Sequence, residues 1–442
     1  MAPSPKLHAA LHGATGGGCL AGALLIQLAP EAALHWQLLK EPLLAAGLVT
    51  ILLGALRRRP TVGRLSTGLC LSLLSLAFTF AVLEIGLRLA RFDFRRIETA
   101  RRRLPPFYRK PMVPTGGAFF RRPGPDRWQG QTIRTCLRIL GLPDDPYRDE
   151  PAVDVRYDSL GFRNEPRGEA WDIAVAGDSF TELGFLASGQ LFTEVLARRT
   201  GQRVLNLGVS HTGPLTHLSY LADYGLSPAT RRVLIVFYEG NDLTDLDRER
   251  RALEEFERTG SYDPEEHRRQ SSLLRALAEW VGGRRDWPVK GFWAVDAIWP
   301  GPTGEVAISL DEEPPAEGEL APETVAAFER FLSPYAAFGR THQLRTWLAY
   351  MPCKARVLHG RVRLTENGLA RFENWHPPAL PDWVAKQCAQ ADVRFIDLTP
   401  PLIEALETRR QLPYNALYDT HLNAFGSEIV GQTLARALGP EP

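Results

Sequence analysis

The chain has 442 residues, which at about 150 residues per domain predicts two or three structural parts. Its 52 Lys and Arg residues nearly balance 51 Asp and Glu residues, and the net charge of +1 gives no reason to expect a nucleic-acid partner. Five cysteines are too few for a disulfide scaffold, and no Cys-x-x-Cys pair or His/Cys cluster has metal-ligand spacing. We therefore expect no structural zinc and no cofactor. A Cys353–Cys388 bridge and two buried free thiols both stay open as interpretations.

Residues 1–100 are predicted to form a membrane region with up to three transmembrane helices. The strongest candidate, Leu65–Leu83, contains no charged residue and would be roughly 28 Å long as a helix. Gly13–Pro30 and Pro42–Leu56 are shorter candidates, for which a buried or interfacial helix is the alternative. Three spans with a cytoplasmic N-terminus would place the globular part outside the cytoplasm. Arginines flank the strongest span on both sides, so the opposite orientation also stays open.

Residues 101–156 are rich in Pro and Arg and are predicted to be a connector, followed by a globular domain at 157–442. Short aliphatic runs in that domain, each followed by a turn residue and a helical pattern, predict five parallel strands. We expect an α/β sandwich of three layers with helices on both faces of the sheet. The predicted strands are Asp172–Ala176, Arg203–Leu207, Arg232–Phe237, Leu344–Met351 and Val393–Leu398.

Ser179 follows the first predicted strand within the run Gly177-Asp178-Ser179. Open α/β sheets bind ligands at the carboxyl ends of their strands. A serine at that place has an exposed hydroxyl near backbone N–H groups, and both are needed to attack a carbonyl and to hold the resulting oxyanion. The alternative is an ordinary serine at a helix N-cap.

Gly208 and Asn241 follow the second and third predicted strands, so they can converge on Ser179. The Gly208 backbone N–H and the Asn241 side-chain amide are candidate donors to a developing negative oxygen. Taken singly, each is an ordinary turn residue. His211 and Thr212, and Lys354 after the fourth strand, are candidates for lining a substrate pocket, with loop residues of no special role as the alternative.

The third and fourth strands are about a hundred residues apart, which is more than one crossover helix needs. An insertion at about 243–340 is therefore predicted to form a lid over the sheet edge. It contains helical patterns around Ser272–Val281 and Glu323–Leu332, with a Pro/Glu-rich stretch between them.

His421 lies close before the predicted final helix, Ser427–Leu438. At neutral pH its imidazole can take the proton of a serine hydroxyl, and Asp419 can hold the imidazole tautomer and stabilise its cation. A lone Asp-x-His would more often be a cap or a surface pair. The order of these residues along the chain favours the catalytic interpretation.

The residues above resemble the sequence blocks of the SGNH (GDSL-type) hydrolase superfamily: a GDS serine, a glycine after the second strand, a GND asparagine and an Asp/His pair near the C-terminus. The resemblance covers roughly Tyr157–Leu438. Asp158–Arg163 is similar to the lead-in found in membrane-anchored bacterial members. The family fold that the resemblance implies is a flavodoxin-like three-layer sandwich, which agrees with the strand pattern.

The resemblance implies a catalytic triad of Ser179, His421 and Asp419, and an oxyanion hole formed by Ser179, Gly208 and Asn241. The common family spacing is Asp-x-x-His, and Tyr418 stands where that aspartate would be. Asp419 is retained as the acid because some membrane-associated and polysaccharide-acetylating relatives are similar to this Asp-x-His pattern.

The expected function is that of a membrane-attached serine esterase or O-acyltransferase that works through an acyl-serine intermediate at the cell envelope. An acyl ester of a carbohydrate or lipid is the expected substrate, an acetylated polysaccharide is one candidate, and the lipid bilayer and a membrane acyl-donor protein are candidate partners. The alternatives are a lipase or thioesterase acting on membrane lipid and an inactive envelope carbohydrate-binding protein.

Overall fold

A computed structural model describes most of the globular part of the chain and most of residues 71–92. Two candidate membrane spans, Gly13–Pro30 and Pro42–Leu56, and the helical pattern at Ser272–Val281 lie outside the described residues. The described chain comprises residues 105–439, except 110, 116, 141–142, 166–169, 263–293, 311–313 and 315–319, and residues 71, 72, 75, 78–87, 89, 90 and 92.

The chain divides into two compact units. One is formed by residues 1–99 with 264–287, and the other by residues 100–263 with 288–442. In the first unit, residues 78–87 are helical, and large apolar side chains such as Phe78 are exposed. No helix within the described residues combines the length and the apolar composition that crossing a bilayer needs.

The second unit contains all the strands and helices labelled below. In chain order, the strands are β1 (Val113–Pro114), β2 (Phe120–Arg121), β3 (Asp126–Gly130), β4 (Val153–Tyr157), β5 (Ile173–Gly177), β6 (Val204–Gly208), β7 (Arg232–Tyr238), β8 (Ala297–Gly301), β9 (Gly304–Ile308), β10 (Arg345–Met351), β11 (Arg363–Leu364) and β12 (Arg394–Asp397). The α-helices are α1 (Thr132–Leu140), α2 (Ser179–Glu182), α3 (Phe192–Thr200), α4 (Pro214–Tyr224), α5 (Asp242–Thr259), α6 (Pro322–Thr341), α7 (Lys354–Leu358), α8 (Glu366–Phe372), α9 (Leu380–Gln390), α10 (Thr399–Arg409) and α11 (Ala424–Leu438).

Five strands form one parallel sheet in the order β6-β5-β7-β10-β12. Numbered along the chain, this order is 2-1-3-4-5, the order of flavodoxin-like sheets. The predicted five-stranded parallel sheet is therefore confirmed, and each strand begins and ends within one residue of its predicted bounds. The order reverses beside β5, and ligands of such sheets bind in the crevice at that point.

Helices cover both faces of the sheet because side chains alternate along each strand. In β5, Ile173 and Val175 pack with α3, α10 and α11 on one face. Ala174 and Ala176 pack with α4, α5, α6 and α9 on the other. All five residues of β5 are buried, as expected for a central parallel strand.

The predicted lid is shorter than expected, because the helices at both of its ends belong to the sandwich. Leu246 on α5 and Phe328 on α6 are fully buried against the sheet. Between these helices the described residues form an antiparallel hairpin, β8–β9, and β11 pairs with β8. The lid is shorter because α5 and α6 each bury one face against the sheet. The spacing between the strands does not reveal this burial.

The predicted connector is folded rather than a plain linker. It contributes the β3–β4 pair, α1 and a short 3-10 helix, Pro106–Tyr108. Arg122 is 3% exposed at its side chain and forms an ion pair with Glu182 of α2, with 2.7 Å between Nε and Oε1. The hydroxyl of Tyr157 also donates to Glu182. Residues on both sides of the expected domain boundary therefore share one buried carboxylate.

The cysteines of the described chain are thiols. Cys136, Cys353 and Cys388 are buried, and no disulfide joins Cys353 to Cys388. Burial raises the pKa of Cys136 and of Cys388 to about 12, so neither is a reactive thiolate at neutral pH.

We predict that Arg122→Met lowers the free energy of unfolding by about 3–5 kcal/mol, because it leaves the buried Glu182 carboxylate without its cation. Urea unfolding of the full-length chain, followed by circular dichroism, measures the change.

Arg127→Met is the matched control, because Arg127 pairs with Asp154 at the surface and its side chain is 57% exposed. That variant should unfold close to the wild-type midpoint. The double variant Arg122→Met/Glu182→Gln should recover part of the loss. Equal midpoints for Arg122→Met and Arg127→Met would contradict a stabilising role of the buried pair.

Candidate active site

Ser179 is the first residue of α2, and Asp178 is its N-cap. The Asp178 side chain accepts a hydrogen bond from the Phe180 N–H at 2.9 Å. A Cβ atom at Gly177 would lie 2.1 Å from the Thr181 hydroxyl, so only glycine permits this tight turn from strand to helix. The turn places Ser179, whose side chain is only partly buried, at the carboxyl edge of the sheet.

The structure brings Ser179, His421 and Asp419 together. The Ser179 hydroxyl lies 2.8 Å from His421 Nε2, although 242 residues separate the two along the chain. His421 Nδ1 lies 3.2 Å and 3.3 Å from the two carboxylate oxygens of Asp419. With its proton on Nδ1, facing the carboxylate, the imidazole presents the Nε2 lone pair to the serine hydroxyl.

The charges around His421 favour its protonated form. Burial by itself lowers the pKa of His421, but the adjacent Asp419 carboxylate, its hydrogen bond and the Asp178 carboxylate together raise it above the ordinary value. In Asp419, burial is likewise outweighed by His421 and by hydrogen bonds, and the pKa of that carboxyl is lowered. The pair therefore favours proton transfer from serine to imidazole.

The Asp419 carboxylate is fixed by its own loop. It accepts hydrogen bonds from Asn415 Nδ2 at 2.8 Å and from the His421 backbone N–H at 2.9 Å. Tyr418, just before it, has a φ of 56°, in the left-handed region that non-glycine residues seldom occupy. We call residues 415–421 the acid loop.

Three phenylalanine rings surround the His421 imidazole. The ring centroids of Phe107, Phe180 and Phe185 lie 5.1, 4.8 and 5.7 Å from its own. Phe107 comes from the segment predicted to be a connector and also packs against Gly184, where an added Cβ would lie 2.4 Å from the Phe107 Cβ. The aromatic rings leave 13% of the His421 side chain and 5% of the Asp419 side chain exposed.

The sequence predicts that the Gly208 N–H points toward the oxyanion, but the structure shows it bonded elsewhere. That N–H donates to Asn206 Oδ1 at 2.8 Å, so it is already engaged. The glycine serves packing instead, since a Cβ at this position would lie 2.4 Å from the Glu182 backbone nitrogen of α2. The expectation that Gly208 donates to an oxyanion is therefore corrected.

Asn241 is the N-cap residue of α5, at the carboxyl edge of the sheet and one strand away from Ser179, but its side chain makes no capping hydrogen bond. Its Nδ2 donates to Asp245 at 3.1 Å, and an amide nitrogen has a second proton to give. Its Oδ1 is buried with no hydrogen-bond partner among the described residues. Burial raises the pKa of Asp245 to about 6.

Two buried carboxylates hold the loop after β6, residues 209–213. Glu182 accepts from the Ser210 hydroxyl at 2.9 Å and from the Ser210 N–H. Glu249 of α5 accepts from the Gly213 N–H at 2.6 Å. His211 lies between these two anchors with a φ of 68° and is exposed. Glu182 on α2 and Glu249 on α5 therefore hold the two ends of the loop.

Two of the three candidate pocket residues are placed differently from the expectation. Thr212 is buried and its hydroxyl donates to the Val209 carbonyl within the loop. Lys354 is 1% exposed, so it cannot line an open pocket. His211 remains at the surface, where its carbonyl accepts from Arg248 at 3.2 Å.

Asp178 also belongs to the site, although its position in the run Gly177-Asp178-Ser179 does not predict this. Its Oδ2 lies 3.3 Å from the Ser179 hydroxyl, and the residue is fully buried. Burial raises the pKa of Asp178 to about 6.

Among the described residues, no group of three or more His, Cys, Asp or Glu side chains is placed to hold a metal ion.

Comparison with known proteins gives structural similarity only. No family model and no curated protein matches the chain. A member of the lipolytic protein G-D-S-L family from Veillonella parvula is 11% identical, with a TM-score of 0.30 over 60% of this chain and 97% of that one. A catalytic mutant of an acetylxylan esterase from Geobacillus stearothermophilus is 13% identical, with a TM-score of 0.31 over 63% of this chain and 98% of that one. TM-scores of this size assign neither family nor activity.

We predict that Asp419→Asn lowers the pKa of His421. The anion that raises it would be gone, while burial of the imidazole would continue to lower it. A pH titration of the 15N-labelled imidazole in the full-length chain measures the shift directly.

Asp382→Asn is the control, because Asp382 is exposed on α9. It should leave the His421 titration unchanged. If Asp419→Asn and wild type titrate at the same pH, the Asp419 carboxylate does not set the protonation of His421.

Proposed function

We propose that the protein is a serine esterase or O-acyltransferase that works through an acyl-serine intermediate. The observation that carries the proposal is the 2.8 Å contact between the Ser179 hydroxyl and His421 Nε2, with Asp419 on the other ring nitrogen. Nucleophile, base and orienting acid then stand in the relation that acyl transfer needs.

In the proposed acylation, Ser179 Oγ attacks the acyl carbonyl carbon while its proton passes to His421 Nε2. Asp419 stabilises the imidazolium that forms. The carbonyl oxygen becomes an oxyanion, for which the Ser179 N–H and the Asn241 side-chain amide are the proposed donors. The Nε2 proton then passes to the leaving alcohol oxygen, the C–O bond breaks, and the acyl group stays on Ser179.

Deacylation uses the same groups in reverse. A water or a sugar hydroxyl gives its proton to His421 Nε2 and attacks the acyl carbon. The oxyanion collapses, the serine leaves and regains its proton from the imidazolium. Water yields a free acid, and a sugar hydroxyl yields a new ester, so hydrolysis and transfer share one site.

The proposed substrate is an acetylated carbohydrate or another acyl ester at the cell envelope. A lipase or thioesterase acting on membrane lipid would use the same three residues and is the alternative within this chemistry. A binding protein without turnover would not need the hydrogen-bonded serine, imidazole and carboxylate, so the site geometry favours the enzyme.

The proposal includes attachment to a membrane through residues 1–100, with the catalytic part outside the cytoplasm. Its support is the uncharged run Leu65–Leu83, together with exposed apolar side chains on the helical residues 78–87.

We predict that the full-length chain stays in the membrane fraction after alkaline carbonate extraction and that a chain lacking residues 1–100 does not. Protease added to right-side-out vesicles should digest the catalytic part. Release of the full-length chain by carbonate would contradict the attachment, and full protection from protease would contradict the orientation.

We predict that Ser179→Ala reduces turnover of p-nitrophenyl acetate by about 10⁴-fold or more and abolishes labelling by a fluorophosphonate probe, since it removes the nucleophile. Ser219→Ala is the control, because Ser219 hydrogen-bonds to Asp223 on the surface of α4. Equal labelling of wild type and Ser179→Ala would refute the serine mechanism.

The same assay, repeated with a polysaccharide acceptor, distinguishes the two outcomes of deacylation. A transferase moves the acetyl group onto the polysaccharide, which mass analysis detects as a gain of acetyl groups. A hydrolase releases only acetate.

A further inference from the structure

Lys354 is a fully buried lysine at the catalytic edge of the sheet. It is the first residue of α7, three residues after the end of β10, and its relative exposure is 1%. Burying an ammonium group is costly unless its protons are hydrogen-bonded, so lysines are seldom buried without a specific partner. The partners of Lys354 therefore indicate what it does.

Two backbone carbonyls from distant segments accept hydrogen bonds from Lys354. Its Nζ lies 2.6 Å from the Asp419 carbonyl oxygen and 2.8 Å from the Ser309 carbonyl oxygen. Asp419 belongs to the acid loop, and Ser309 directly follows β9. The ammonium group thus links the backbone of Asp419 to the end of the β8–β9 hairpin.

Ser309 reinforces the same connection. Its N–H donates to the Ala416 carbonyl at 2.9 Å, and its hydroxyl accepts from the Tyr418 N–H at 3.2 Å. Tyr418 has left-handed backbone dihedrals, which cost energy for a residue with a Cβ. Because that conformation is unfavourable, contacts such as those of Ser309 and Lys354 with the acid loop must hold it.

The Lys354 charge also acts on the imidazole. Asp419 and Asp178 raise the pKa of His421, whereas the Lys354 cation lowers it, as does burial. The other titratable groups that interact with Asp419 all come from residues 101–156: Tyr108, Cys136, Tyr147 and Glu150. Lys354 is therefore a cation that opposes the two carboxylates.

We propose that Lys354 is a positioning residue for the proposed acyl-transfer reaction: with Ser309 it fixes the acid loop, and hence Asp419 and His421, onto the β8–β9 hairpin. This inference rests on the proposed function. It assigns to the insertion a role in holding the catalytic acid, which differs from covering the sheet edge.

The test measures kcat and kcat/KM for p-nitrophenyl acetate against pH with the full-length chain in detergent. Lys354→Met should lower kcat by about 10–100-fold, because small displacements of catalytic groups have effects of that size. It should also move the acid limb of the kcat/KM profile to higher pH, because the loss of the cation raises the pKa of His421. Displacement of Asp419 alone would move that limb to lower pH instead, because Asp419 raises the pKa of His421.

Lys354→Gln separates the two effects, because an amide still donates hydrogen bonds but carries no charge. It should keep more of kcat than Lys354→Met while showing the same displacement of the acid limb. Lys386→Met, at an exposed lysine of α9, is the matched control and should behave as wild type.

Ser309→Ala tests the hairpin connection separately, since it removes only the acceptor of the Tyr418 N–H. We expect kcat to fall by about 3–10-fold. Wild-type kcat and pH profile in folded Lys354→Met would overturn the proposal. If both lysine variants fail to fold, a wild-type kcat in Ser309→Ala overturns it.

Ser179→Ala, measured in parallel, distinguishes failure of this inference from failure of the proposed function. If Ser179→Ala is as active as wild type, the serine mechanism fails. If Ser179→Ala is inactive and the Lys354 variants match wild type, only the positioning role fails.

Discussion

The hydrogen bond between the Ser179 hydroxyl and His421 Nε2 depends on two parts of the fold. Parallel pairing of β5 with its neighbours fixes Ser179 at the sheet edge, where Gly177 lies opposite both Gly208 and Val236. His421 instead precedes α11, which packs on α3 so closely that a Cβ at Gly431 would lie 2.5 Å from Val195. The serine is thus placed by backbone pairing and the histidine by helix packing.

Buried charged groups connect the loops at this edge. Glu182 binds Arg122 and Ser210, and Glu239 at the end of β7 accepts from Arg356 at 2.7 Å and from the Cys353 N–H at 2.9 Å. The second pair fixes the turn that leads into Lys354. Such pairs contribute little net stability compared with apolar packing, but removing one partner is costly, so they specify one loop arrangement.

The sequence predicts the parts of the site that sit at strand ends, because aliphatic runs locate the strands and parallel strands share one edge. Ser179 and Asn241 are examples. The sequence does not predict that the Gly208 N–H is engaged, because its partner is the Asn206 side chain two residues earlier, through a local hydrogen bond. Phe107 and Arg122 were missed because their partners are far away along the chain and no periodicity marks such contacts.

Two segments outside the five-stranded sheet contact different parts of the site. The segment formed by residues 101–156 supplies Phe107, which packs against the imidazole, and Arg122, which pairs with Glu182. Glu182 in turn holds the loop that contains Ser210. The β8–β9 hairpin holds the acid loop through Ser309. The sheet itself fixes Ser179 and, through β7, Asn241. A displacement of either segment would therefore alter the position of the base or of the 209–213 loop. Both segments also contribute to the core beside the sheet, since Phe107 and Ile308 are buried there with Val175.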